Sequence, residues 1–116
     1  MKNDTKPLRD KLSKAWSIRI KNNAEHRCER CGSMYNLSPH HIIGKANTGL
    51  RWEEKNGVCL CFDCHRMAHD KPDKFKKEWL YKYIGRKVYD DLVVEGSQIC
   101  KMRKEQMEEL LKSLNN

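Results

Sequence analysis

Four cysteines in two C-x2-C pairs, Cys28 with Cys31 and Cys61 with Cys64, share the stretch from Cys28 to His69 with four histidines, His40, His41, His65 and His69. Each tight C-x2-C turn offers two thiolates on one side, and two such turns complete a tetrahedron around Zn²⁺ at a zinc-ribbon separation. Cys28, Cys31, Cys61 and Cys64 are therefore expected to ligate a structural zinc. His65 and His69 stand four residues apart, so on a helix both imidazoles lie on one face, as paired histidine metal ligands do. That pair begins beside Cys64, so the helix is anchored next to metal chemistry. The four imidazoles are expected to build a second, open metal site, and that site would do the chemistry.

Two other readings use the same residues. The cysteine pairs could be redox centres or disulfides, but a charged helical pattern follows Met1 where a secretory signal would stand. Cys61-x2-Cys64-His65 also fits the attachment motif of a c-type haem. That leaves the first cysteine pair unexplained, and haem attachment normally accompanies export.

The elements that must position these groups can be read from periodicity. At 116 residues, 38% hydrophobic and 34% charged, the chain buries only a modest core, and a structural zinc would add folding free energy. A single domain over 1–116 is expected: an N-terminal helix over 1–24, a zinc-clamped core over 25–71 and C-terminal helices over 72–116. Leu8, Leu12, Trp16 and Ile20 recur every fourth residue and predict a helix from Lys2 to about Asn23, with Pro7 in its first turn. The segment 37–44, LSPHHIIG, reads as a strand, 45–55 as a loop, and Asn56-Gly57 as a turn into a second strand ending at Cys61. A helix should then carry Cys64, His65 and His69. After Pro72, Phe75, Trp79 and Tyr83 mark a helix stopping at Gly85, and Val88, Tyr89 and Leu92 mark another running to Gly96. Ser97 is placed to cap a last helix, whose stripe of Met107, Leu110, Leu111 and Leu114 would pack on its own chain or pair with a partner.

Several residues admit a structural reading beside a chemical one. Asn56 can be only a turn former, Trp52 a core plug, and Arg27 and Arg30 moderators of thiolate charge. Cys59 reads as a small buried apolar residue, and Cys100 has no assigned partner. A net charge of +8 favours a polyanionic partner, most simply nucleic acid, although spread-out charge often serves solubility alone. Lys45, Arg51, Lys55 and Arg66 around the strands could hold phosphates without reading bases. No apolar run reaches membrane-spanning length, so a soluble protein of a reducing cytoplasm, with no membrane partner, is expected.

The order C-x2-C, His40-His41-Ile42, Asn56, then Cys61-x2-Cys64-His65-x3-His69 resembles the HNH endonucleases, or ββα-metal nucleases, and most of all their small bacteriophage members. The resemblance spans roughly residues 25 to 80. It implies an α+β, mostly helical fold in which a two-stranded hairpin and a helix grip one catalytic divalent metal. A four-cysteine zinc would clamp the hairpin to the helix, with further helices at both ends.

By the same resemblance His41 is the general base, Asn56 orients it through a carbonyl, and His40, His65 and His69 ligate the catalytic ion. Histidine at position 40 replaces the commoner aspartate. A three-imidazole set is neutral apart from its ion and suits Zn²⁺ or Ni²⁺ better than Mg²⁺, with Mn²⁺ between them. The implied activity is hydrolysis of DNA, as nicks or double-strand breaks, leaving 5′-phosphate and 3′-hydroxyl ends. The implied setting is the cytoplasm of a bacterial host, with a phage packaging or recombination protein as a further partner. A monomer is expected, or a dimer through the last helix. The competing reading is a zinc-stabilised nucleic-acid-binding module without catalysis.

Overall fold

A computed structural model describes residues 5–44, 48–98 and 102–115. The chain runs through helix α1 (Lys6–Asn23), strand β1 (Ser38–His41), the short helix α2 (Thr48–Arg51), a 3₁₀ turn (Glu54–Asn56), strand β2 (Gly57–Leu60) and helix α3 (Phe62–Asp70). It continues as α4 (Pro72–Phe75), which passes through a π turn (Lys76–Leu80) into α5 (Tyr81–Ile84), and ends in α6 (Arg86–Ser97) and α7 (Lys104–Asn115). The fold is α+β and mostly helical, as expected.

The two strands pair antiparallel, with His40 opposite Val58 and His41 opposite Gly57. Side chains on a strand alternate between faces, so this small sheet serves two cores. On one face Val58 and Leu60 pack with Ala68, Phe75 and Leu80 of the helices after the sheet. On the other, Cys59 packs with Leu12, Trp16 and Ile20 of α1 and with Met107 and Leu114 of α7. Burying a side chain of this size contributes about 1.5–3 kcal/mol. The stripe on α7 is thus used against α1, and Arg19 of α1 donates to the carbonyls of Ser113 and Leu114 at the end of α7, at 3.2 and 2.8 Å. Basic groups suit that end of a helix because its carbonyls lack intrahelical partners.

Some local expectations change. The first strand is shorter than 37–44, because Asn56 takes the backbone of Ile43 and turns the chain away from the sheet. The segment read as a loop over 45–55 holds α2 and a 3₁₀ turn, with Leu50 and Trp52 buried in it. Trp52 is a core plug, and its indole N–H donates to Ser13 of α1 at 3.1 Å. Ser97 does not cap the last helix. It closes α6, donating its hydroxyl to the Val94 carbonyl at 2.7 Å, and α7 begins only at Lys104. Cys59 is fully buried as expected, while Lys45 and Cys100 lie outside the described residues.

Candidate metal centre and active site

The two cysteine turns meet where the end of β2 enters α3. The first turn closes on Gly32, whose φ of +83° only glycine adopts without strain. The sulfurs of Cys28, Cys31, Cys61 and Cys64 lie within 4.8 Å of one another, Cys31 Sγ being 3.5 Å from Cys61 Sγ. Zn–S bonds of ~2.3 Å at tetrahedral angles put sulfurs about 3.8 Å apart, so four thiolates in this arrangement fit zinc. Burial pushes the Cys28 thiol up, but backbone N–H groups from Cys61, Cys31 and Arg30 outweigh it and bring the thiol down to about 7. Burial pushes Cys64 up to about 12, against the pull of Arg30, whose Nη1 donates to its sulfur at 3.4 Å. Arg30 thus has the structural role weighed for it. Thiols this crowded give up their protons together only when a cation replaces them. The convergence of all four sulfurs leaves no place for haem attachment at Cys61 and Cys64.

The three histidines His40, His65 and His69 come together as a second set, with ligand nitrogens again within 4.8 Å of one another. His40 and Ser38 sit two apart on β1 and face α3, where His65 and His69 occupy one helical face. His65 Nε2 and His69 Nε2 stand 3.0 Å apart, close to the ~3.3 Å expected of two imidazole nitrogens on one tetrahedral Zn²⁺. His65 Nδ1 lies 2.9 Å from Ser38 Oγ. With Nδ1–H donating to that hydroxyl, the Nε2 lone pair is turned toward the other two rings, as a second partner does for a metal-bound histidine. Burial, and then the neighbouring His65 and His69, bring His40 down to about 4, and burial followed by His69 lowers His65 as well. Neutral imidazoles are the ligating form, so the donor set suits a divalent ion.

His41 leaves β1 on the opposite face, toward α1. Its Nε2 lies 2.9 Å from the Arg51 carbonyl. A carbonyl only accepts, so Nε2 carries a proton. The carbonyl that receives His41 is therefore Arg51's. Asn56 acts on the loop that carries it: the side chain is fully buried, its Oδ1 accepts the Ile43 N–H at 2.8 Å, and its Nδ2 donates to the carbonyls of Ile43 and Leu50, both at 3.1 Å. The backbone of Ile43 and that of Leu50 are pinned to one amide, and the carbonyl of the next residue, Arg51, holds His41.

All four histidines, with Ser13 and Trp16 of α1 and with Arg51 and Trp52, line a cleft of about 410 Å³. Arg51 reaches this cleft with its guanidinium 5.2 Å from the Trp52 ring centre. Lys55 is paired with Glu95 at 2.9 Å and Arg66 with Asp70 at 3.4 Å, which reduces the charge either offers to a phosphate. Residues 28–71 match the HNH endonuclease family model. The matched segment holds both cysteine turns, the hairpin and the histidine-bearing helix. No curated protein and no solved structure matches the chain significantly. This match suggests a nuclease-type function.

Two contributors to the HNH site escape a reading for chemistry. Ser38 carries no motif, and only its two-residue spacing from His40 on a strand could have signalled a shared face. Trp16 lies outside the matched segment and reads as a helix-stripe residue.

Proposed function

We propose that the protein is a divalent-metal-dependent endonuclease that hydrolyses DNA phosphodiester bonds, with His41 as general base. The observation that carries this reading is the placement of two kinds of imidazole in one cleft: three that converge on a common point, and one, His41, held apart from them at the Arg51 carbonyl. A divalent ion held by His40, His65 and His69 would supply Lewis-acid stabilisation of the phosphate.

His41 takes a proton from the attacking water at Nδ1, and the Arg51 carbonyl stabilises the imidazolium that results. A positioned base of this kind contributes about 10²–10⁴-fold. Arg51 is the phosphate contact that lines the cleft, and Lys45, Lys55 and Arg66 would be further phosphate contacts. Phage origin, a packaging or recombination partner, a bacterial cytoplasmic setting and a monomeric state belong to the same proposal and rest on resemblance.

Plasmid nicking across a panel of Zn²⁺, Ni²⁺, Mn²⁺ and Mg²⁺ tests the reading. His41→Ala should lose at least about 100-fold in cleavage while keeping its zinc content, fold and DNA affinity. Undiminished cleavage by that variant would remove His41 from the mechanism. Binding without cleavage by the wild-type chain under every ion would favour the non-catalytic module.

A further inference from the structure

Two indoles line the cleft beside the four histidines, and one of them lies against His41. Trp16 of α1 stacks face to face on His41, with ring centres 4.1 Å apart and planes within 15°. We propose that Trp16 is a positioning residue for His41, an inference that rests on the nuclease reading, and that α1 is therefore a working wall of the active site.

A bond from Nε2 to the Arg51 carbonyl fixes the direction of one ring edge but allows the imidazole to swivel about the N–H···O axis. Swivelling would carry Nδ1 along an arc and away from the water it must meet. A flat face against the ring removes that freedom, and the bond and the stack together leave one orientation.

Trp16 is itself held. It is 2% exposed, and its indole N–H donates to the Glu53 carbonyl at 2.8 Å, which fixes the plane of the indole. The strand opposite makes room for it. Gly57 is the cross-strand partner of His41, and a Cβ there would stand 2.7 Å from Trp16 Cζ2 and 2.6 Å from Ile20 Cδ1. The indole thus occupies space that any other residue at position 57 would contest. A second bridge, from Trp52 to Ser13, ties the same helix face to the residue that follows the Arg51 carbonyl. Both restraints on His41, the carbonyl and the stack, are therefore referred to α1.

The competing role is a plain core plug, and the test separates the two. Trp16→Phe keeps a flat face without the N–H, whereas Trp16→Leu keeps apolar bulk without a face. Single-turnover cleavage of a short duplex should fall about tenfold in kcat for Trp16→Leu, at unchanged KM and zinc content, because a displaced base loses much of its advantage. Trp16→Phe should recover most of that loss even if both variants melt at similarly reduced temperatures.

A measurement independent of cleavage accompanies this. In ¹³C–¹H spectra of histidine-labelled protein, assigned with His41→Asn, the His41 ring protons should lie upfield from the indole ring current. They should stay upfield in Trp16→Phe and move downfield in Trp16→Leu. If Trp16→Leu does not fold, Trp16→Met replaces it in both comparisons. A kcat for the non-aromatic variant within twofold of wild type, or His41 protons that are not shifted upfield in the wild type, overturns the proposal. Equal losses in the Phe and Leu variants would assign Trp16 to the core alone. A wild-type chain that cleaves nothing under any ion sinks the nuclease reading and the positioning role with it, while the upfield shift would still report whether the stack exists.

Discussion

His40 and His41 are neighbours in sequence and leave β1 on opposite faces, so one turns toward the α3 histidines and the other toward Trp16. In the proposed mechanism a ligand and a base must not compete for the same ion, and strand alternation separates these two rings. The restraint on the ligand side is small and testable. Ser38 holds His65 at 2.9 Å, and its replacement by alanine should weaken divalent-metal affinity about tenfold or more at unchanged zinc content, as read by titration calorimetry.

His40 carries a pH consequence. Its imidazole is held at about 4 in the fold against about 6.5 when free, so between those values the unfolded chain binds more protons than the folded one. In protein lacking the histidine-bound ion, this contribution should be intact above pH 6.5 and should fall as the pH drops toward 4. The loss is up to about 3 kcal/mol. Thermal melts across that window check the sign, and His40→Asn should flatten the slope.

At the scale of elements, the sheet is two strands and cannot stand alone. Its independence comes from being covered on both faces, by α1 with α7 and by the helices from α3 onward. At Gly57 side chains of α1 pack directly over the strand, with no room for a Cβ. Gly57→Ala should cost about 1–3 kcal/mol, because the new Cβ overlaps a buried indole and an isoleucine with little room to shift. Denaturant melts measure that cost. The same variant should lower cleavage beyond what its stability explains, since the displaced indole is the one stacked on His41.

At the scale of the whole molecule, a chain this small relies on metal for part of its stability. The four-sulfur cluster joins the turn after α1 to the junction of β2 and α3, whereas the imidazole set adds an ion to a frame already built. A mild chelator should therefore abolish cleavage with helicity intact. Stripping the thiolate site, or replacing Cys64 by serine, should unfold the chain, and circular dichroism recorded with zinc release should show two separate steps. Among the described residues no helix is long and apolar enough to cross a membrane.

The sequence by itself determined what depends on short separations. The C-x2-C turns, the four-residue step from His65 to His69 and the stripe on α1 are local, because a tight turn or a helical period fixes which side chains share a side. It also carried the order of motifs on which the family assignment rests. Only the tertiary structure decided what depends on approach between distant segments: that the Arg51 carbonyl receives His41, that Asn56 holds the backbone of Ile43 and Leu50, that Ser38 supports His65, and that Trp16 lies flat on the proposed base. Each is a contact between groups whose sequence neighbours say nothing of distance. Packing of α1, α2 and α3 around the hairpin brings them within reach, and no local propensity encodes that packing.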